Sequence, residues 1–409
     1  MAVVQKTILF VGGGIETLPG VDLAKKMGLY VVVSDRNPDA PCMKVADDFI
    51  IADTYNEIDT LLAAKKFHHS KKKINGVICM ASDIPLTVAT VASELKLPCI
   101  TKNSAKIVSD KVLMKDCFKA AGLPIPHYEE IKSILELKEC AKYFGFPFVI
   151  KPVDSRGSRG VLKVTKDIDI EWAFSTSKSF SPTGRVMIEQ YMQGPQISTE
   201  SLVINGDVFT IGFSDRNYEF LEKYAPNMIE NGGDLPSKLE EKEQALIRGT
   251  VEKTAKALGI ENGVIKGDMV LSDGNPYIIE VAARLSGGYF CSHEIPLNTG
   301  VNFVAIAIKI ALGEKVKKEE LSIKSNNPVS QRYFFPKPGR VVKIKIPKWI
   351  EQNKSVIMCE IRVNEGDIIP EVTHHPSRAG MVICSGSNIN KAKQMAKKVI
   401  DEVLIETVC

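Results

Sequence analysis

Over its first hundred residues the chain alternates short apolar runs with helical stretches, and this rhythm restricts the fold more than any other feature. Ile8 to Val11 predicts a strand, Gly12-Gly13-Gly14 a turn, Val21 to Met27 a helix, and Tyr30 to Ser34 a second strand. Gly76 to Met80 follows as a third strand, and Pro85 to Leu95 as a helix leading into Pro98-Cys99-Ile100. Strands separated by helices in this way assemble as a parallel sheet with helices on both faces. The glycine turn and Asp35 after the second strand invite a dinucleotide site. However, Gly12-Gly13-Gly14 runs into Ile15-Glu16, so the G-x-G-x-x-G spacing is absent and an acidic side chain would repel a pyrophosphate. A tight turn at the sheet edge, or a small-molecule site of the same geometry, are the remaining readings.

Beyond this region Ser104 opens a predicted helix through Ile107, Val108, Val112, Met114 and Phe118, with Ser as its start cap and Gly122 and Pro124 as its stop. From Phe146 the chain becomes strand-rich: Phe146 to Lys151, Val161 to Val164 and Val186 to Ile188. Hairpins are predicted at Asn205-Gly206 and Asp273-Gly274. Helices from Lys242 to Leu258 and from Val301 to Leu312 cover this mixed sheet. After Gly313 a Lys/Glu-rich link leads to short strands (Val341 to Ile346, Val356 to Val363, Met381 to Ser385) and a final amphipathic helix from Asn390 to Ile405.

Several function classes drop out. A net charge of +4 spread over 409 residues gives no basic surface for nucleic acid or an anionic membrane. No stretch approaches the roughly 18 apolar residues of a membrane span; the best candidate, Val304 to Leu312, is short and contains Lys309. The N-terminus runs into a strand without a small-residue cleavage site. There are nine cysteines, and no Cys-x-x-Cys pair among them, so neither a disulfide framework nor a zinc ribbon is indicated. His68-His69 and His374-His375 are adjacent pairs that point apart rather than share a metal. A cytoplasmic protein without nucleic-acid or membrane partners is the expectation.

The chemistry concentrates in three places. Lys151-Pro152-Val153-Asp154-Ser155-Arg156-Gly157-Ser158-Arg159-Gly160 is a strand that delivers a lysine, then a loop of small residues, then another strand. Small residues let backbone N–H groups approach phosphate oxygens, and lysine adds a point charge. No helix and no Gly-Lys-Ser/Thr follow, which excludes a Walker loop. The loop's composition also predicts poor order without a nucleotide. Second, Asp268 and Glu280 flank the Asp273-Gly274 turn. A two-residue turn would set Asp268 opposite Ile279; a three-residue loop from Asp273 to Asn275 pairs Asp268 with Glu280 and turns both carboxylates to one side. That arrangement suits a magnesium–phosphate site, and it is expected here because unpaired carboxylates are costly among Val270, Leu271, Tyr277, Ile278, Ile279 and Val281. Third, Arg284 stands four residues beyond Glu280 and precedes Gly287-Gly288, a group able to hold an anionic reaction centre.

Together these residues resemble the ATP-grasp superfamily over roughly residues 5 to 313. The resemblance implies an α/β protein of three parts. These are a Rossmann-like parallel-sheet domain (1–103), a nucleotide-binding α+β domain of two subdomains (104–313, divided near 185) and an α+β lid (314–409). It further implies that Lys111 and Lys151 reach the phosphates of ATP, with Ser155, Gly157, Ser158 and Gly160 in the flexible phosphate loop. Glu189-Gln190-Tyr191-Met192 is similar to the adenine hinge, in which a carboxylate takes the exocyclic amine and backbone at Gln190 and Met192 reads the ring edge. Gln196 stands where the family usually has a ribose-binding glutamate. Asp268 and Glu280 match the ligands of Mg2+ (Mn2+ being the alternative), and Ala282 replaces a frequent asparagine. Arg284, Gly287 and Gly288 are the implied catalytic group.

The shared reaction of the superfamily converts a carboxylate to an acylphosphate and joins it to an amine, releasing ADP and phosphate. Glu280-Val281-Ala282-Ala283-Arg284-Leu285-Ser286-Gly287-Gly288 resembles most the L-amino-acid ligases, as does Gly194 to Glu200. Gly288 stands where biotin-carboxylase-like chains carry a glutamate for bicarbonate. Small-molecule carboxylate and amine substrates, amino acids first, are therefore implied, with a homodimer through the N-terminal region as the frequent assembly. The alternatives are a ligase for a secondary-metabolite, cell-surface or purine-like substrate, and an inactive ATP-binding module. Arg332 reads either as a clamp for a substrate carboxylate or as a structural surface residue.

Overall fold

The computed structural model describes residues 5–408. The first unit alternates as the pattern predicts: β1 (Thr7–Val11), α1 (Leu18–Lys26), β2 (Tyr30–Asp35), β3 (Asp48–Ile51), α2 (Glu57–Ser70), β4 (Gly76–Ile78) and α3 (Pro85–Glu94). Its four strands are all parallel in the order β3-β2-β1-β4. β1 is buried at every position, as a strand covered on both faces must be. The glycine turn is closed from within: Asp35, which with the glycines invites a dinucleotide reading, accepts the Gly13 N–H at 2.8 Å and stabilises the turn. β3 escaped the sequence pattern because it is an edge strand whose Phe49 and Ile51 are exposed.

The helix expected from Ser104 is two helices, α4 (Lys102–Ser109) and α5 (Lys111–Ala120). Thr101, not Ser104, caps the first, its hydroxyl accepting the Ser104 N–H at 3.0 Å. Asp110 breaks the run. Its carboxylate accepts the N–H groups of Val112 and Leu113 (2.9 and 3.0 Å), which makes it the cap of a new helix and Lys111 that helix's first residue. An aspartate that can bond its own following amides competes with helix continuation.

Next come β5 (Tyr128–Ile131), α6 (Ile134–Phe144), β6 (Phe148–Pro152), β7 (Leu162–Val164), α7 (Ile170–Ser179) and β8 (Val186–Gln190). Their strands form an antiparallel sheet in the order β5-β8-β6-β7. β9 (Gln196–Ile204), β10 (Asp207–Arg216), β11 (Gly233–Leu235), α8 (Glu241–Ala257), β12 (Asn262–Ser272), β13 (Asn275–Ala282), α9 (Ile295–Thr299) and α10 (Phe303–Ala311) follow. The last segment holds α11 (Lys318–Leu321), β14 (Val329–Tyr333), β15 (Gly339–Lys345), α12 (Lys348–Gln352), β16 (Val356–Ile361), β17 (Ile368–Ile369), β18 (Gly380–Ser385), α13 (Ile389–Glu402) and β19 (Leu404–Val408). The amphipathic helix thus stops before Ile405, which pairs with Ile344 across β15 and β19 and joins the apolar cluster around Val341, Val382 and Val399.

The largest sheet has eight strands in the order β13-β12-β9-β10-β11-β14-β18-β16. It runs continuously from the central segment into the C-terminal one, across position 313. One apolar core likewise spans the chain, bringing Ile8 and Phe10 of β1 together with Leu285, Phe303 and Ile383.

Candidate active site

A cavity of about 780 Å³ lies between the four-stranded antiparallel sheet and the β9–β12–β13 part of the large sheet. Every residue that the resemblance assigns to nucleotide, metal or catalysis lines it except Gly160. Gly160 lies just beyond, at φ +67°, against Phe180 and Pro152.

On the side of the antiparallel sheet Lys151, the penultimate residue of β6, is only 3% exposed and reaches Glu189 Oε2 at 2.5 Å. Lys115 occupies the other oxygen of Glu189 at 2.6 Å and donates to Ile278 O at 2.8 Å. Glu189 is 2% exposed and lines the cavity with both of its oxygens paired to lysines, which it holds together. Burial alone would raise its pKa, but the two ammonium groups outweigh that and hold it below the usual carboxylate range. Burial likewise depresses Lys115 to about 8 in spite of Glu189. Lys115 escaped sequence reading, although it follows Lys111 at the i, i+4 spacing that puts both on one helix face. Gln190 donates its N–H to His127 O at 2.8 Å, and Tyr191, Met192 and Gln196 continue the wall past β8.

The Ser155–Gly160 loop makes hydrogen bonds and contacts with distant segments. Lys111 Nζ donates to Ser155 O (2.7 Å), the Ser158 hydroxyl to Met228 O (2.6 Å), and the His375 N–H to Gly157 O (3.0 Å). The Arg156 guanidinium lies 4.4 Å from the Tyr55 ring centre. These partners come from four other segments, none adjacent to the loop in sequence.

Asp268 and Glu280 stand directly opposite each other, but not through the expected three-residue loop. The turn is the two-residue Asp273-Gly274, with Ser272 opposite Asn275 and Met269 opposite Ile278. A β-bulge at Ile279 then shifts the register by one, so Asp268 meets Glu280. Ser198 donates to Asp268 Oδ1 at 2.8 Å and Lys266 bonds Oδ2, while Lys111 stands 3.5 Å from Glu280 Oε1. Burial would raise the Asp268 pKa, yet Lys266 beside it brings the net shift below the usual range. Two carboxylates on one face, each balanced by an ammonium, are a hard oxygen donor set that fits Mg2+ displacing those cations. Lys266 is the cross-strand partner of Ala282, so the position that often carries a third ligand faces a cation here.

Arg284 is not a surface residue. Its Nε donates to Asp83 Oδ1 at 2.6 Å, and both side chains line the cavity. Burial raises the Asp83 pKa, but Arg284 overrides it and keeps the group well ionised. Gly288 takes φ +64°, and a Cβ there would lie 2.7 Å from Tyr333 Oη. Its N–H, expected as a free donor for the reaction centre, donates instead to Glu16 Oε2 at 2.7 Å. Glu16 also meets Arg362 Nη1 at 2.7 Å, and Arg362 Nε donates to Glu360 at 2.7 Å. Beneath the turn Glu200 accepts from Ser286, and burial lifts it to about 7 although those bonds oppose the rise.

The C-terminal segment supplies the remaining wall through Arg362, Ile368, Ile369, Pro370, His375 and Arg378. Arg378 lies over the Tyr333 ring, its centre 3.7 Å away, and bonds Glu230 O; Glu230 also pairs with Arg216 at 2.7 Å. Arg332 is absent from this wall. It grips Asp234 with both Nη atoms (3.0 and 3.2 Å), so it is neither a substrate clamp nor a surface residue but a strut between β11 and β14. Glu16, Asp83, Arg362 and Arg378 carry no local sequence signal, since each gains its role from a partner far along the chain.

Residues 108–288 match the ATP-grasp domain family. That match covers the central segment of the chain, and the proteins that carry this domain include ADP-forming carboxylate–amine ligases that use ATP and Mg2+. More particularly, residues 332–408 match the L-amino acid ligase C-terminal domain 2 family. The L-amino acid ligase of Bacillus licheniformis shares the fold, with a TM-score of 0.83 at 21% identity over 99% of each chain. A carbamoyl phosphate synthase large chain of Thermoanaerobacter pseudethanolicus is 24% identical over 77% of this chain and 29% of its own length. A D-alanine–D-alanine ligase of Bordetella avium is 28% identical over 51% of this chain and 66% of its own. The chain therefore spans less than two thirds of either relative. No helix among the described residues is long and apolar enough to cross a membrane.

Proposed function

We propose that the chain activates a carboxylate with ATP as an acylphosphate and joins it to an amine, with amino acids as its substrates. The observation that carries this reading is the convergence of Lys111, Lys151, Asp268, Glu280 and Arg284 on one cavity. Lys111 and Lys151 supply positive charge for the triphosphate, and the Ser155–Gly160 loop adds backbone donors. Asp268 and Glu280 would hold Mg2+, which neutralises phosphate charge when bound. Arg284, fixed by Asp83, stabilises the anionic centre as the substrate carboxylate attacks the γ-phosphorus and ADP departs. The amine nitrogen then bonds the acyl carbon while the bond to phosphate oxygen breaks, phosphate leaving with the electron pair and the amine losing a proton. Ile369, 3% exposed, adds buried apolar surface to the wall, which would limit the access of water to the acylphosphate.

The amino-acid reading draws support from the C-terminal match and from the cations Arg216, Lys266 and Arg378 in the cavity wall, which suit a second carboxylate. The division into units at 103/104 and 313/314, a homodimer through the N-terminal region and a cytoplasmic site of action belong to the same proposal. Phosphate release scored over a matrix of amino-acid pairs, followed by mass spectrometry of the product, tests it. Release with other carboxylates but with no amino acid would replace the substrate class. No release with any carboxylate would leave an ATP-binding module.

A further inference from the structure

The segment carrying Arg284 and Gly288 has no regular structure of its own: β13 ends at Ala282 and the next helical turn begins at Phe290. Its shape therefore depends on what holds it. From the N-terminal side the Ala81 N–H donates to Leu285 O at 3.0 Å, and Asp83 and Glu16 meet Arg284 and Gly288. From the sheet side Glu200, midway along β9, holds it. This carboxylate has no exposed surface; one oxygen accepts the Ser286 N–H at 2.8 Å and the other the Ser286 hydroxyl. Ser286 is 1% exposed, so water replaces neither bond.

The surroundings are arranged around this one side chain. Glu200 lies between Gly212 of β10 and Lys266 of β12. A Cβ at Gly212 would lie 2.4 Å from Ile295 Cδ1 and 3.1 Å from the Glu200 Cβ, so the glutamate is closely packed on this side as well. Placing a carboxylate in a sheet interior is expensive, and an apolar residue would fill the space at no such cost. Glu200 is absent from the cavity wall, whereas Arg284, Gly287 and Gly288 on either side of Ser286 are part of it.

We propose that Glu200 is a positioning residue: by fixing Ser286 it sets the orientation of Arg284 and of the Gly287–Gly288 backbone toward the reacting carboxylate and phosphate. This rests on the ligase reading of the same cavity. Glu200 touches neither substrate nor nucleotide, and its effect passes entirely through the Ser286 bonds.

Three variants test it, Glu200→Ala, Glu200→Gln and Ser286→Ala, each read by hydrogen exchange and by steady-state kinetics. Glu200→Ala leaves the Ser286 N–H without a partner, so exchange at Ser286 and its neighbours should accelerate while β6 and β8 keep their protection. Its kcat should fall by about tenfold to a hundredfold, the scale of an ångström misplacement, with the KM for ATP within about twofold. Glutamine can accept the N–H and donate to the hydroxyl, so Glu200→Gln should recover most of both. Ser286→Ala removes one of the two bonds and should show a smaller loss of the same kind. Should Glu200→Ala not fold, the other two variants decide. Unchanged exchange at the turn, a glutamine variant as impaired as alanine, or a loss confined to the KM for ATP overturns the proposal. Absence of phosphate release by the unmodified protein would refute the ligase reading instead, and the exchange measurements would still show whether Glu200 holds the turn.

Discussion

Arg284 shows how far a single residue can be read. Its spacing from Glu280 marks it as an oxyanion partner, and the structure places it in the cavity with Asp83 locking one edge of the guanidinium. A surface pair would contribute at most about 1 kcal/mol and no catalysis. Arg284→Ala is therefore expected to lower kcat by about 10²–10³ with nucleotide affinity nearly preserved, and lysine should rescue poorly because it lacks the planar fork. Near-normal phosphate release from the alanine variant would remove the assignment. Glu294 poses a different question, since it is fully buried and neither oxygen has a hydrogen-bond partner. Burial lifts it from an ordinary 4.5 to about 8, only partly opposed by Arg216. An acid that keeps its proton longer in the native state than in the unfolded one makes stability fall as pH rises between those two values. Urea unfolding should show native stability declining from about pH 5 to pH 8, and Glu294→Gln should flatten that decline. An identical slope in the glutamine variant would mean that Glu294 does not titrate in this range. Lys151 and Arg284 stand out in the sequence by their own chemistry, and both line the cavity. Glu200 and Asp83 were illegible because a carboxylate's function there is set by a partner brought up by the fold.

At the level of elements, the β12–β13 hairpin was read to the right pairing by the wrong route. Alternation predicts which residues share a face, but a bulge adds a residue without any compositional mark, so turn length and register cannot be separated from sequence. Helix breaks carry the same ambiguity: Asp110 is compatible with a helix interior until its side chain takes the two amides ahead of it. The paired carboxylates lead to a direct expectation. Changing Asp268 or Glu280 to alanine should remove the Mg2+ dependence of ATP binding, weakening metal-dependent affinity by more than about tenfold, as loss of ligand-shell groups commonly does. Titration with ATP, with and without Mg2+, measures it, and a variant whose response to Mg2+ matches the unmodified protein would exclude that residue as a ligand. The phosphate loop invites a second measurement. Its tethers reach Met228, Tyr55 and His375, so its order depends on closure of the surrounding segments rather than on its own small residues. Protease cleavage within Ser155–Gly160 should slow when MgATP is added, and cleavage indifferent to MgATP would show that the loop does not bind it.

The whole molecule closes its cavity with residues from both ends of the chain, and the Glu16–Arg362 pair shows what that costs and secures. Glu16 leaves the first glycine turn, accepts the Gly288 N–H, and meets Arg362 of the C-terminal segment, which in turn holds Glu360. Both side chains of the pair are less than a third exposed, so solvent screens them only partly. Removing one partner leaves the other charge without its counterpart in a partly dry site, whereas replacing both removes the conflict. Arg362→Gln alone should therefore destabilise the protein by about 1–3 kcal/mol. The Glu16→Gln, Arg362→Gln double variant should cost less than the sum of the two singles, because residues in one network are coupled. Since the core around Phe10, Leu285 and Ile383 joins the first strand to the C-terminal segment, the loss should appear as a shift of one cooperative unfolding transition rather than as early melting of either end. Denaturant unfolding of the four proteins measures both effects. Strict additivity would show that Glu16 and Arg362 do not act on each other, and a separate early transition in the Arg362 variant would show that the C-terminal wall is an independent unit resting against the cavity.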